Sequence, residues 1–256
     1  MSVIPEILTH IEAAYRTHQP VSFIRENYTI SAEEAYQVQH AFIKKRVQEG
    51  EAVAGYKISM TSKETQAIAD TNEPAYGTIL TSQVLQEGSE YALSNLFSPL
   101  IEPELMFFIN EDISGDADTQ EIIEKSSVAP GIEIPDARYI DWFPNFSLID
   151  LLSDNTATGR IVVGNPVAAP SLEKLEAIRL DLKFNGTTTH TACADAVLGN
   201  PVYAVKWLVK KLAEHNQYLQ KGMIVSSGTF ISPFKAEAGE YLASYSNIGS
   251  VNITLV

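Results

Sequence analysis

Three glutamates stand inside runs of large apolar residues, so any fold that buries them must also bring a positive charge to meet them. Glu102 and Glu104 lie in Ile101-Glu102-Pro103-Glu104-Leu105-Met106-Phe107-Phe108-Ile109, and Glu133 lies in Pro130-Gly131-Ile132-Glu133-Ile134-Pro135. An ionised carboxylate rarely enters such surroundings unless it is paired or bound to a metal. On a strand, residues two apart share a face, so Glu102 and Glu104 project together and Pro103 points away. Two carboxylates side by side repel unless something positive lies between them. Glu133 on a neighbouring segment would complete one face of an octahedral oxygen site for a hard divalent cation, Mg²⁺ or Mn²⁺. Taken alone, Glu-Pro-Glu fits solvated acids on an edge strand equally well, and spacing does not bring Glu133 to the pair. Proline donates no ladder hydrogen bond, so the strand is expected to be irregular or at an edge here.

The 256 residues, 45% of them hydrophobic, are enough for a substantial core. A net charge of −14 argues against nucleic acid and anionic membrane surfaces as partners. An anionic substrate stays open, because a bound cation dominates its local field. Cys193 is the single cysteine, which excludes an internal disulfide and suits a reducing compartment. It reads as a small buried residue rather than a nucleophile. The N-terminus has no basic stretch followed by an apolar run, and no run of 18 apolar residues occurs. The expectation is a cytoplasmic protein without a membrane partner.

The first part of the chain reads helical. Ile4, Ile7, Leu8, Ile11 and Tyr15 recur at helical spacing. Ser31-Ala32-Glu33-Glu34 is a capping-box pattern opening a helix with Ala35, Val38 and Phe42 on one face, and Thr61-Ser62-Lys63-Glu64 repeats it before a shorter helix ending near Asp70. After about Pro74 short apolar runs alternate with Gly, Pro, Asn and Ser. Ile178, Leu180, Leu182 and Phe184 alternate as in a half-buried strand, Asn185-Gly186 is a hairpin signal, and 187–191 can pair back. Asn200-Pro201 opens a helix striped by Val205, Leu208, Val209 and Leu212. Strand texture returns over 223–227, 241–245 and 251–256. The reading is α+β: an α-rich N-terminal part, 1–75, feeding a mixed β body, 76–256. The boundary is soft, since Gly55-Tyr56-Lys57 can already belong to the β body.

In this order and spacing the motifs resemble the 2-keto-4-pentenoate hydratase and 4-oxalocrotonate decarboxylase group of the fumarylacetoacetate hydrolase-like superfamily. The motifs are Gly55-Tyr56-Lys57-Ile58-Ser59-Met60-Thr61-Ser62, Glu73-Pro74-Ala75-Tyr76-Gly77-Thr78, the two acidic segments above, Ser153-Asp154-Asn155, Leu198-Gly199-Asn200-Pro201 and Ser227-Gly228-Thr229. Each is weak singly, and together they cover nearly the whole chain. The resemblance implies a mixed β-roll or barrel body and a homo-oligomer. It implies Mg²⁺ or Mn²⁺ held by Glu102, Glu104 and Glu133, acting on a small anionic 2-oxo acid. The family lysine falls on Lys57, with proton transfer at the substrate as its implied role. By spacing alone Lys57 reads as an ordinary surface lysine; partly buried near a metal, its pKa could fall and make it a usable acid or base. Ser59, Met60, Asn155, Gly228 and Thr229 fall at the substrate rim, although Asp154-Asn155 also fits a capping turn and Ser227-Gly228-Thr229 an ordinary one. Arg138 and Arg160 are candidate carboxylate partners.

Three departures bear on the reaction. Ser59-Met60-Thr61-Ser62 stands where the family often has Gly-Leu-Thr-Ser. Ala75 stands where hydratases commonly carry an Asp that helps handle water, and the decarboxylase branch tends to be apolar there. Pro103 stands between the two glutamates. The reading is a hydro-lyase adding water to a 2-hydroxy-2,4-dienoate or 2-oxo-4-enoate, of the kind met in aromatic meta-cleavage catabolism, with a 4-oxalocrotonate-type decarboxylase as the close alternative. An acylpyruvate hydrolase would need a His-carboxylate pair that none of the five histidines shows in sequence. A binding protein that has lost turnover also fits Ala75 and Ser59.

Overall fold

The central element of the structure, a computed structural model describing residues 3–256, is the strand Leu100–Ile109, which carries two of the three glutamates. It runs through the middle of a nine-stranded mixed sheet. On one side lie Ile224–Thr229, Val53–Ser59 and Ala75–Leu80, and on the other Ser126–Ile134, Arg160–Val163 and Val84–Gln86. Two short strands, Phe234–Lys235 and Val167–Ala168, pair off this path. A second sheet of five strands runs in the order Thr187–Cys193, Arg179–Phe184, Gly239–Tyr245, Gly249–Leu255 and Glu90–Tyr91. It packs over the Ser126 strand, and the buried Tyr245 hydroxyl donates to Gly131 O at 2.7 Å across the gap. The architecture is α+β, as the texture of the sequence implied.

Local rules account for most element ends. Ser31 caps Ala32–Gln48 with a reciprocal bond from Glu34, the expected box. Asn200 caps Pro201–Glu214 with proline at the first helical position, and Val205, Leu208, Val209 and Leu212 are buried as the stripe required. Asn185 and Gly186 both have positive φ, the backbone a two-residue hairpin needs. The short helix Lys63–Ile68 is capped by Ser62 with Thr65 rather than by Thr61 with Glu64; Thr61 lies beyond the strand Val53–Ser59, its side chain against Gly228. Cys193 is half-buried, its Sγ donating to Glu176 O, rather than a core residue. Val53–Ser59 lies before the 75/76 boundary and pairs on both flanks within the large sheet. Among the described residues no helix is long and apolar enough to cross a membrane.

The N-terminal helices pack on the sheet through buried polar contacts. Gln39 donates to Tyr76 O at 3.0 Å and Leu152 O at 3.3 Å. The Tyr76 hydroxyl lies between His40 Nε2 at 2.8 Å and His215 Nδ1 at 2.6 Å. This ties the second helix and the end of the last long helix to one strand. Burial, and after it the neighbouring His215, depresses the His40 pKa from 6.5 to about 4. A depressed folded pKa means that protons favour the unfolded chain. His40 therefore contributes stability that is fully present above pH 6.5 and is lost as pH falls toward 4. Denaturation midpoints measured between pH 7 and pH 4 should fall across that window, and less steeply in His40→Gln.

Arg138, 2% exposed, is held by Asp154 through Nε at 2.6 Å and by three main-chain carbonyl contacts, to Asp136, Thr158 and Asp154. It is indeed a carboxylate partner, but of Asp154. Asp154→Ala leaves that guanidinium buried and unpaired, and should lower unfolding free energy by about 3–5 kcal/mol in chemical denaturation.

Candidate active site

Strand register brings the acids together. Glu102 pairs with Glu133 across the Leu100 and Ser126 strands, and Glu104 pairs with Gly131. Each glutamate offers an oxygen, and these oxygens all lie within 4.8 Å of one another. Glu102 is 8% exposed and the other two 1% or less. The solvated-edge alternative therefore fails: the strand is central. Pro103 is tolerated there because the neighbouring Ile224 strand shifts register between Ser226 and Thr229, so no regular ladder bond is demanded of it.

That bulge serves Glu104. Its Oε2 accepts from Ser226 Oγ at 2.5 Å and from the Gly228 N–H at 2.8 Å. Glu104 Oε1 and Glu133 Oε2 are buried with no hydrogen-bond partner, and Glu133 Oε1 meets Lys57 Nζ at 2.9 Å as an ion pair without hydrogen-bond alignment. Buried partnerless carboxylate oxygens turned toward one point are the donor set of a hard cation. The residues present fit Mg²⁺ or Mn²⁺.

The electrostatics agree. Burial first, and the charge of Glu133 second, push the Glu102 carboxyl up to about 7. Burial and then Glu133 and Glu102 hold Glu104 well above the carboxylate range, and burial raises Glu133 against the pull of Lys57. Lys57 is 1% exposed, not a surface lysine. Burial alone would lower its pKa, but Glu133, Glu102 and Glu104 outweigh burial and hold the ammonium above its ordinary range. The expected fall is thus reversed, and the Lys57 side chain stands as a charged ammonium.

Lys57 and Glu102 open onto a cleft enclosing about 480 Å³, part of it open to solvent. Ser59, Met60 and Thr229 line it too, with Met60 in a left-handed backbone (φ 57°) and its carbonyl accepting from Gln66 Nε2. Asn155 and Gly228 do not line it. The Asn155 amide is spent on both backbone groups of Thr78, at 2.8 Å each, and the Gly228 N–H is spent on Glu104. Ala75 is fully buried opposite Ser59 and outside the cleft. Among the described residues no histidine lines the cleft. Sequence reasoning missed Trp142, Phe143 and Phe146, which form one wall; the density of rings in 142–146 was the available signal.

No protein-family model matches the chain. It is 30% identical to a 2-oxo-hept-4-ene-1,7-dioate hydratase of Escherichia coli, over 98% of this chain and 97% of that one. The chain belongs to the 2-keto-4-pentenoate hydratase and 4-oxalocrotonate decarboxylase family. A 2-hydroxyhexa-2,4-dienoate hydratase of Comamonas testosteroni is 28% identical over 89% of this chain and 87% of its own length, and a 4-oxalocrotonate decarboxylase of a Pseudomonas species is 25% identical over 88% and 87%. Among solved structures, the 4-oxalocrotonate decarboxylase of Pseudomonas putida G7, complexed with magnesium and adipate, superposes with a TM-score of 0.91 at 23% identity, covering 99% of this chain and 97% of that one. A fumarylpyruvate hydrolase of Pseudomonas aeruginosa superposes at 0.58 with 15% identity, covering 78% and 88%. The fold is that of the fumarylacetoacetate hydrolase-like proteins.

A Cβ on Gly228 would lie 2.4 Å from Thr61 Oγ1, and its φ of 112° disfavours any side chain. Gly228→Ala should cost more than about 1 kcal/mol of stability. It should also weaken Mn²⁺ binding, measured by electron paramagnetic resonance, through loss of the bond to Glu104.

Proposed function

We propose that this chain is a divalent-metal-dependent hydro-lyase that adds water to a 2-hydroxy-2,4-dienoate. The observation that carries the reading is the buried triad of carboxylates with partnerless oxygens beside the Lys57 ammonium, opening onto a cleft. Relatives named for 2-oxo acids of both the monoacid and the diacid kind support the substrate class. Glu102, Glu104 and Glu133 would hold Mg²⁺ or Mn²⁺, which supplies Lewis-acid charge for the substrate's C1 carboxylate and C2 oxygen. Ser226 and the Gly228 N–H fix the orientation of Glu104. Lys57 loses part of its electrostatic support once the carboxylates are committed to a cation, and its proton becomes easier to move. Its proton goes to the far carbon of the diene, and the proton that leaves the enol oxygen restores the ammonium. Water's oxygen then bonds to C4 and its proton to C3, giving a 4-hydroxy-2-oxo acid. Ser59, Met60 and Thr229 border the substrate, while Asn155 acts only by holding Thr78.

Decarboxylation is the second reading, and Ala75 favours it. That position brings no carboxylate to the cleft, where Glu102 is the one acid among the described lining residues. An NMR time course with Mg²⁺ separates the two. The expected result is a 4-hydroxy-2-oxo product from 2-hydroxypenta-2,4-dienoate. Release of CO₂ from 2-oxo-3-hexenedioate, with no hydration of the first compound, would select the decarboxylase. Lys57→Ala should lower kcat by about 10²–10⁴-fold while Mn²⁺ binding persists; unchanged turnover would remove Lys57 from the chemistry. With the Glu102 carboxyl near 7, Mn²⁺ affinity should fall as pH drops from about 7, because protons compete for the same oxygen.

A further inference from the structure

Apart from Lys57, Glu102 and the hydroxyls of Ser59, Thr61, Thr65 and Thr229, the walls of the cleft are aromatic and aliphatic. Trp142, Phe143 and Phe146 form a cluster with ring centroids 5.5 to 6.3 Å apart, and Met60, Ile68 and Leu151 extend it. The polar atom of this wall is already used, since Trp142 Nε1 donates to Ser98 O at 2.7 Å. Two of the four hydroxyls are engaged as well: Thr65 bonds to Ser62, and Thr229 donates to Ile231 O. Lys57 is the one cation among the described lining residues, and it faces Glu133. Four other cations face elsewhere, among them Arg25, which is held by Asp150 and Asn145 O. Lys63 lines a separate groove with Gln66 and Trp207, and Arg138 and Arg160 line a pocket with Asp136 and Tyr15.

We infer that the substrate is a monocarboxylate with a short apolar tail, and that Trp142, Phe143 and Phe146 are the residues that select it. The inference rests on the oxo-acid reading of the metal-side groups. With the C1 carboxylate and C2 oxygen at the glutamates and Lys57, the remaining carbons run along the apolar wall. A second carboxylate there gives up its water and meets no cation, an arrangement that proteins avoid. A vinyl, methyl or ethyl tail instead gains contact with the rings and leaves no polar group unpaired. The same wall disfavours a 2-oxo-enedioate, whose distal carboxylate is the group that a decarboxylase must hold before releasing it.

Calorimetric binding with Mg²⁺ present tests this without turnover. 2-Oxohexanoate and 2-oxohexanedioate have the same head and chain length and differ only in the tail carboxylate. The expected result is at least about 30-fold tighter binding of the monoacid. Phe146→Arg places a cation on the wall and should shift the preference toward the diacid by at least about tenfold. Phe143→Arg serves as the second variant should the first fail to fold. Equal binding of the two acids, or tighter binding of the diacid, overturns the inference and leaves the oxo-acid reading intact. Binding of neither overturns that reading and the inference with it. If both arginine variants fold and neither moves the preference, the wall is not the selecting element.

Discussion

Burying three carboxylates and one ammonium in adjacent strands is the constraint that organises this molecule. Each charge loses its water, and none can be left without a counterpart. Lys57 answers part of the negative charge, and the main-chain N–H of Gly228 and the hydroxyl of Ser226 answer another part. The remainder is left turned toward a common point. The sheet is accordingly mixed. Val53–Ser59 lies parallel to Ile224–Thr229, setting Lys57 level with Ser226, while the glutamate strands run antiparallel to each other. A one-residue slip anywhere in this stack would turn the charges to the opposite face of the sheet.

The acids were legible because composition and position conflict: a glutamate among Ile, Leu and Phe announces itself. The same holds for elements set by short-range chemistry, such as the Ser31 box, the Asn185-Gly186 turn and the Asn200-Pro201 helix start. What the sequence hides depends on partners far along the chain. Asn155 looks like a rim residue until Thr78 takes its amide, and Arg138 looks like a substrate clamp until Asp154 takes its guanidinium. The direction of the Lys57 pKa was hidden for the same reason. Burial and pairing act in opposite senses, and only the assembled triad decides between them. The aromatic wall was missed because nothing in the rings at 142–146 shows in sequence that a cleft lies beside them.

The structure also separates holding from contacting. Glu104 and Glu133 stand behind the cleft wall, whereas Lys57 and Glu102 reach it. Positions near the site thus do unlike work. Gly228 and Ser226 orient a carboxylate, Asn155 steadies the neighbouring strand, and Ser59, Met60 and Thr229 face the space where a ligand fits. The charged groups are confined to one end of the cleft, and the rest of its wall is largely apolar.

The parallel pairing of Val53–Ser59 with Ile224–Thr229 has a consequence for how the chain folds. The strands Leu100–Ile109 and Ser126–Ile134 are neighbours in sequence and can meet early, which sets Glu102 against Glu133 before any cation or lysine must be present. Their ammonium partner sits on a strand that joins them only through Ile224–Thr229, far along the chain from both. Until that distant pairing forms, the charges of the acidic hairpin have no ammonium to answer them. Closure of the centre depends on the most distant pairing in this part of the sheet, so the contact that completes the sheet also completes the site.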